Sequence, residues 1–168
     1  MKRHFLQLIA LSNTQSSSFQ RANVYAPKVP AEQQDAFIKE FKSRLIFLEK
    51  VYEQPVSPDQ HLKNIEEFAN SLSNSFPDVL RDKKMKIGIA QKAVNLYLKF
   101  IWCYGWIPEP PHCPIDRIVL EEAGDDGSWT KIVSIEEYSE KIKKIESKKG
   151  NKSFSEWECE LWERKNRI

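Results

Sequence analysis

Between Pro110 and Arg117 the chain reads Pro-Pro-His-Cys-Pro-Ile-Asp-Arg, which places an imidazole, a thiol, a carboxylate and a guanidinium side by side. His112 can act as a general base oriented by Asp116, Cys113 as a nucleophile, and Arg117 as a clamp for an anion. Pro108, Pro110, Pro111 and Pro114 frame the group, fixing φ and removing amide donors, which is the pre-organisation a site needs. Each member also has a plainer explanation. No nucleophile motif surrounds Cys113, Asp116 suits the first turn of a following helix, and Arg117 can pair with Asp116 or Glu121 on that helix for little energy. A structural loop is therefore the first reading of His112, Cys113, Asp116 and Arg117; a binding loop and a catalytic one are the alternatives.

A metal centre drawn from Cys103, His112, Cys113 and Cys159 fits no zinc spacing, because adjacent His and Cys side chains do not readily reach one ion. No metal and no cofactor is expected. Three cysteines without a CxxC pair argue against a disulfide framework and for a reducing compartment, hence the cytoplasm. The start, MKRHFLQLIALSNTQSSS, is basic and then briefly apolar, but Gln7 interrupts the run and no small-residue cleavage site follows, so it does not read as a signal peptide.

A net charge of +2 neither demands nor excludes nucleic acid. Arg81, Lys84, Gln91, Lys92, Asn95 and Lys99 can form a strip that meets phosphates, and Lys141 to Lys152 add a second basic group. Glutamates from Glu136 to Glu163 interleave with that second group, which favours a solvated face over a nucleic-acid footprint. All five tryptophans fall after position 101. Trp106, Trp129, Trp157 and Trp162 are accordingly the candidate surface for a protein partner or a second copy, the favoured function, since tryptophan is enriched at binding hot spots.

These side chains must be positioned by helices. Five glycines against nine prolines, with few β-branched runs, point to an all-α fold rather than a turn-rich β fold. The expectation is one compact domain over 1–168, of five to seven helices around a central buried helix at 85–104. Apolar residues cover more than half of that helix's circumference, so others must surround it. Its length of about 30 Å is close to a small domain's diameter. Lys92, Lys99 and Asn95 argue against its crossing a membrane.

Phe37, Phe41, Leu45, Leu48 and Tyr52 give an earlier helix over 31–53. Ser57-Pro58-Asp59-Gln60 starts the next one with an N-cap, a proline at the first position and the makings of a capping box. Asn13 to Pro30, rich in serine, asparagine and proline, reads as a loop, and 105–114 as a stiff proline-rich connector. A short helix is expected over 115–123, and two more open at Ser134 with Glu137 and at Ser153 with Glu156. His61 lies beside an apolar stripe and reads as a surface or internally satisfied residue. The stretch from Ile87 to Asp116 resembles small bacterial proteins of unknown function carried on mobile gene cassettes. The resemblance implies an origin and no site.

Overall fold

The computed structural model describes residues 1–166. In chain order these form α1 (Lys2–Phe19), α2 (Ala31–Val51), α3 (Pro58–Ser75), α4 (Ile87–Cys103), α5 (Arg117–Glu122), α6 (Ile135–Lys149) and α7 (Phe154–Asn166), with 3₁₀ turns at Arg81–Lys83 and Trp129–Lys131. No strand occurs among the described residues, so the fold is all-α as the composition predicts. None of the described helices is long and apolar enough to cross a membrane.

The central post is α4. Ile89, Ala90, Ala93, Val94, Tyr97, Leu98 and Ile101 are buried on it, and α1, α2, α3 and α6 all pack against it. The stripes read from spacing line up as expected: Phe37, Phe41, Leu45 and Leu48 of α2 and Ile65, Phe68 and Leu72 of α3 face the core. The α2–α3 pair is antiparallel, with Arg44 on Ser71 near one end and Tyr52 on His61 at the other. The caps at Ser57, Ser134 and Ser153 are where the sequence puts them, whereas Asp116, expected inside the first turn of a helix over 115–123, is instead the N-cap of α5, which starts at Arg117. Ser57 accepts from the Gln60 amide, Asp116 from Val119, Ser134 from Glu137, and Ser153 and Glu156 close a reciprocal box. At Ser57 only half of the box forms, because the Gln60 side chain donates to Asn64 instead.

The loop expected over Asn13 to Pro30 is shorter than its composition suggests, since residues 13–19 continue α1. Serine and asparagine are indifferent helix formers, but packing decides here. Ala10, Thr14 and Ser18 recur at every fourth position, are fully buried, and let α1 lie closely on α4. Phe19 then closes the helix against Phe37 and Phe41, with ring centroids 5.9 and 4.9 Å away. The rest of the segment is stitched down by backbone hydrogen bonds, Ala26 to Val79 and Arg81 to Val24. Between α5 and α6, Trp129–Lys131 form the second 3₁₀ turn.

That turn approaches α4 at Gly88, whose amide donates to the Ile132 carbonyl at 2.9 Å. A Cβ at position 88 would overlap the Trp129 carbonyl. In an ordinary helix, glycine to alanine gains about 1 kcal/mol. Gly88→Ala should instead lose about 2 kcal/mol through overpacking, seen as a lower urea midpoint with an unchanged slope; a stabilised variant would mean that the turn is free to move away.

Candidate functional site

Gln91 and Asn95, one turn apart on α4, are fully buried. Gln91 reaches the connector: its Nε2 donates to the Ile115 carbonyl at 2.8 Å, and the Ile115 amide donates to its Oε1 at 3.0 Å. The backbone therefore dictates which way this amide points. Because Oε1 is the acceptor, the Asn95 group facing it at 3.3 Å is Nδ2, which also donates to the Tyr138 hydroxyl at 3.0 Å. That leaves Asn95 Oδ1 toward His61 Nε2, 2.8 Å away, so His61 carries its proton on Nε2 and accepts on Nδ1 from the Tyr52 hydroxyl at 2.6 Å. Asn64 donates to the same Tyr52 oxygen. At the other end Tyr138, having accepted from Asn95, donates to His112 Nδ1 at 3.1 Å.

His61 and His112 thus lie edge to face, 4.9 Å apart, both neutral. Burial lowers His61 to about 3, with His112 adding to the effect, and burial lowers His112 to about 4. His61 belongs to the internally satisfied alternative.

The proline-framed residues are separated by this arrangement. His112 and Cys113 are buried, and burial pushes the Cys113 thiol far above its ordinary range, so it is held as a thiol away from solvent. Asp116 is the N-cap of α5, and Arg117 turns outward to Glu121 at 2.6 Å. No base, nucleophile and clamp converge.

Asp116 instead joins a second group. A cleft of about 470 Å³ between α1, α4 and α7 is lined by Asn13 and Ser17 of α1, by Leu96, Phe100 and Pro114, and by Lys92, Lys99, Asp116, Glu158 and Trp162. Lys99 and Glu158 form an ion pair at 2.7 Å, with only 13 and 7 % of their side chains exposed. Burial raises the Glu158 carboxyl above its ordinary value although Lys99 opposes the shift. Lys92, 12 % exposed, stands 3.9 Å from Asp116 Oδ2 and 4.4 Å above the Trp129 ring. Burial lowers its pKa, and Asp116 counteracts.

The four candidate tryptophans do not share a surface. Trp129 and Trp157 are core residues, Trp106 sits half-buried beneath Arg3, and Trp162 is 56 % exposed at the cleft. The expected strip on α4 splits as well: Gln91 and Asn95 turn inward, whereas Lys92 and Lys99 turn into the cleft. The sequence reading missed the partnership of His61, Asn95 and Tyr138 and the role of Glu158. Its one available signal was an uncharged Gln and Asn one turn apart on a helix apolar nearly all round.

The network makes a prediction about acid. Both histidines are neutral when folded and titrate near 6.5 when unfolded, so the unfolded chain binds the extra protons and stability falls as pH drops below about 6.5. By pH 5 the loss should be roughly 2 kcal/mol per histidine. Glu158, with its raised carboxyl, works in the opposite direction, so the comparison is with His112→Gln, whose loss between pH 7 and pH 5 in urea titrations should be about half that of the parent. Equal losses would contradict a buried neutral His112. No protein-family model, no curated protein and no solved structure matches the chain.

Proposed function

We propose that the protein is a non-enzymatic helical binding protein whose cleft between α1, α4 and α7 takes a small organic anion with an apolar body. Lys92 is the observation that carries this reading. Its ammonium is largely withdrawn from water, yet its carboxylate neighbour is at 3.9 Å, beyond hydrogen-bond distance, while Lys99 is already committed to Glu158. An entering carboxylate, sulfonate or phosphate would give Lys92 charge-assisted hydrogen bonds in a shielded place. Leu96, Phe100 and Trp162 would cover the apolar part, and the cleft volume suits a small molecule. The binding role expected of the His112 loop moves here, with Pro114 and Asp116 as the loop's contribution.

A titration with 1-naphthoate, followed by calorimetry and tryptophan fluorescence, tests the reading. Saturable one-to-one binding is expected, weakened about tenfold by Lys92→Met, which is about 1.4 kcal/mol, and weakened also by Trp162→Ala. No saturation at millimolar naphthoate, or equal affinity in Lys92→Met, would remove it.

A second reading, association with a protein partner or a second copy, is supported by Phe47, 67 % exposed beside Val51 on α2, next to a small groove shared with Leu48 and Phe68. Light scattering should then show a concentration-dependent increase in mass that Phe47→Ser abolishes; a monomer at every concentration counts against self-association.

A further inference from the structure

We propose that a groove between α3, residues 83–87 and the start of α6 binds an extended peptide of about three residues, held by its free amino and carboxyl ends. The groove encloses about 460 Å³ and shares no residue with the cleft between α1, α4 and α7. Its two ends differ in charge. α3 runs antiparallel to α4, since His61 meets Asn95 while Ser73 meets the amide of Met85. Lys83 and Lys84 therefore stand at the Asn74 end of the α3 wall, and Glu66 lies two turns away from it. The start of α6 is tied to the start of α4 by the bond from Gly88 to Ile132, and a turn further on Tyr138 reaches Asn95. α6 thus runs away from the lysines, which puts Glu136 toward the level of Glu66.

Between these ends the α3 wall suits a peptide backbone. Asn70 and Asn74 are one turn apart, about 6 Å along the axis, and each amide can donate and accept at once. Backbone groups of an extended peptide that point the same way recur every second residue, about 6.6 Å apart, so the two asparagines can meet its first and third residues. Glu66 and Asn74 are about 12 Å apart along the helix, and three extended residues span about 10 Å. Pro77, Val133 and Ile135 supply apolar surface for the peptide's side chains, with Val133 58 % exposed. Solvation accounts for exposed lysines in general. It does not account for the backbone that presents these two. Asp82 and Lys83 both have φ of 58°, a conformation that residues with a Cβ avoid. The segment is held in it from three sides: the Arg81 amide donates to the Val24 carbonyl at 2.8 Å, Lys86 stands 3.6 Å from Asp82, and the Met85 amide donates to Ser73 Oγ at 2.9 Å. Backbone strain maintained in this way gathers at ligand clamps. Here it delivers Lys83 and Lys84 to the groove, where neither has a carboxylate partner among the described residues.

Calorimetric titration of the full chain with trialanine tests the proposal. Saturable one-to-one binding is expected, with N-acetyl-trialanine and trialanine amide each bound about threefold more weakly, the size of a solvent-exposed charge pair. Glu66→Gln should reduce the discrimination against the acetylated peptide and keep that against the amide; Lys83→Met together with Lys84→Met should do the reverse. Asn74→Ala should weaken all three peptides alike. Glu66, Asn74, Lys83 and Lys84 are exposed, so these variants keep the fold. No saturation at millimolar trialanine, equal affinity for capped and free peptides, or competition by naphthoate would overturn the proposal. Trialanine binding that is unchanged in Lys92→Met, in a protein that binds no naphthoate, would sustain the groove and remove the cleft reading.

Discussion

The side-chain amide of Gln91 grips the backbone of Ile115 from both sides, donating to its carbonyl and accepting from its amide, and the interior of the protein is arranged around that grip. The connector before it can be buried cheaply because its prolines bring no N–H to satisfy. Ile115 is the first residue after Pro114 with an amide, and in the core that amide needs a partner. Supplying one from α4 fixes the orientation of Gln91. Asn95, His61 and Tyr52 then follow in turn, as do Tyr138 and His112. Four elements, α3, α4, α6 and the connector, are thereby placed in register by directional bonds rather than by apolar contact alone. Leaving one such buried group without its partner costs about 1–3 kcal/mol.

Other polar groups perform the same service at the margins. Glu49 of α2 accepts from Arg3 and Gln7 of α1 and from the Tyr97 hydroxyl of α4, which ties three helices at one carboxylate. Asp125, in the loop after α5, is gripped by Lys141 and Lys144 of α6 and by the Gly127 amide. Burial by itself would raise that carboxyl, but these donors prevail and hold it well below the ordinary carboxylate range. The bond thus stabilises the loop above the acid range and weakens as pH falls through it.

Much of the fold was legible in the sequence because spacing and caps are local signals. Phe37 through Leu48, Ser57-Pro58 and Ser153 with Glu156 each report on their own helix. The unreadable parts depend on partners distant in the chain. Residues 13–19 look like a loop because serine and asparagine have weak helix propensity, and only contact with α4 shows why small side chains are needed there. Gln91 and Lys92 are adjacent, and composition does not say that one turns into the core and the other into a cleft. Tryptophan crowding was misleading for a physical reason: a large ring fills a core as readily as it builds an interface, and Trp129 and Trp157 fill one.

The candidate site was hidden for a related reason, since its charges come from α4, α7 and the residue capping α5. The Lys99–Glu158 pair is a poor stabiliser on general grounds, because desolvating two ions offsets most of their attraction and an apolar pair of similar size would often hold the helices better. Lys92 is a weaker arrangement still, withdrawn from water with its ammonium 3.9 Å from Asp116 and over the Trp129 ring. Such groups cost the fold something wherever they sit, and here they share one wall with an exposed tryptophan. A stretch of interface shaped only for stability would be expected to close, as α1 does on α4 over the small side chains of Ala10, Thr14 and Ser18. That contrast, between one closed helix contact and a neighbouring one left open, polar and aromatic, counts in favour of a cleft with an occupant.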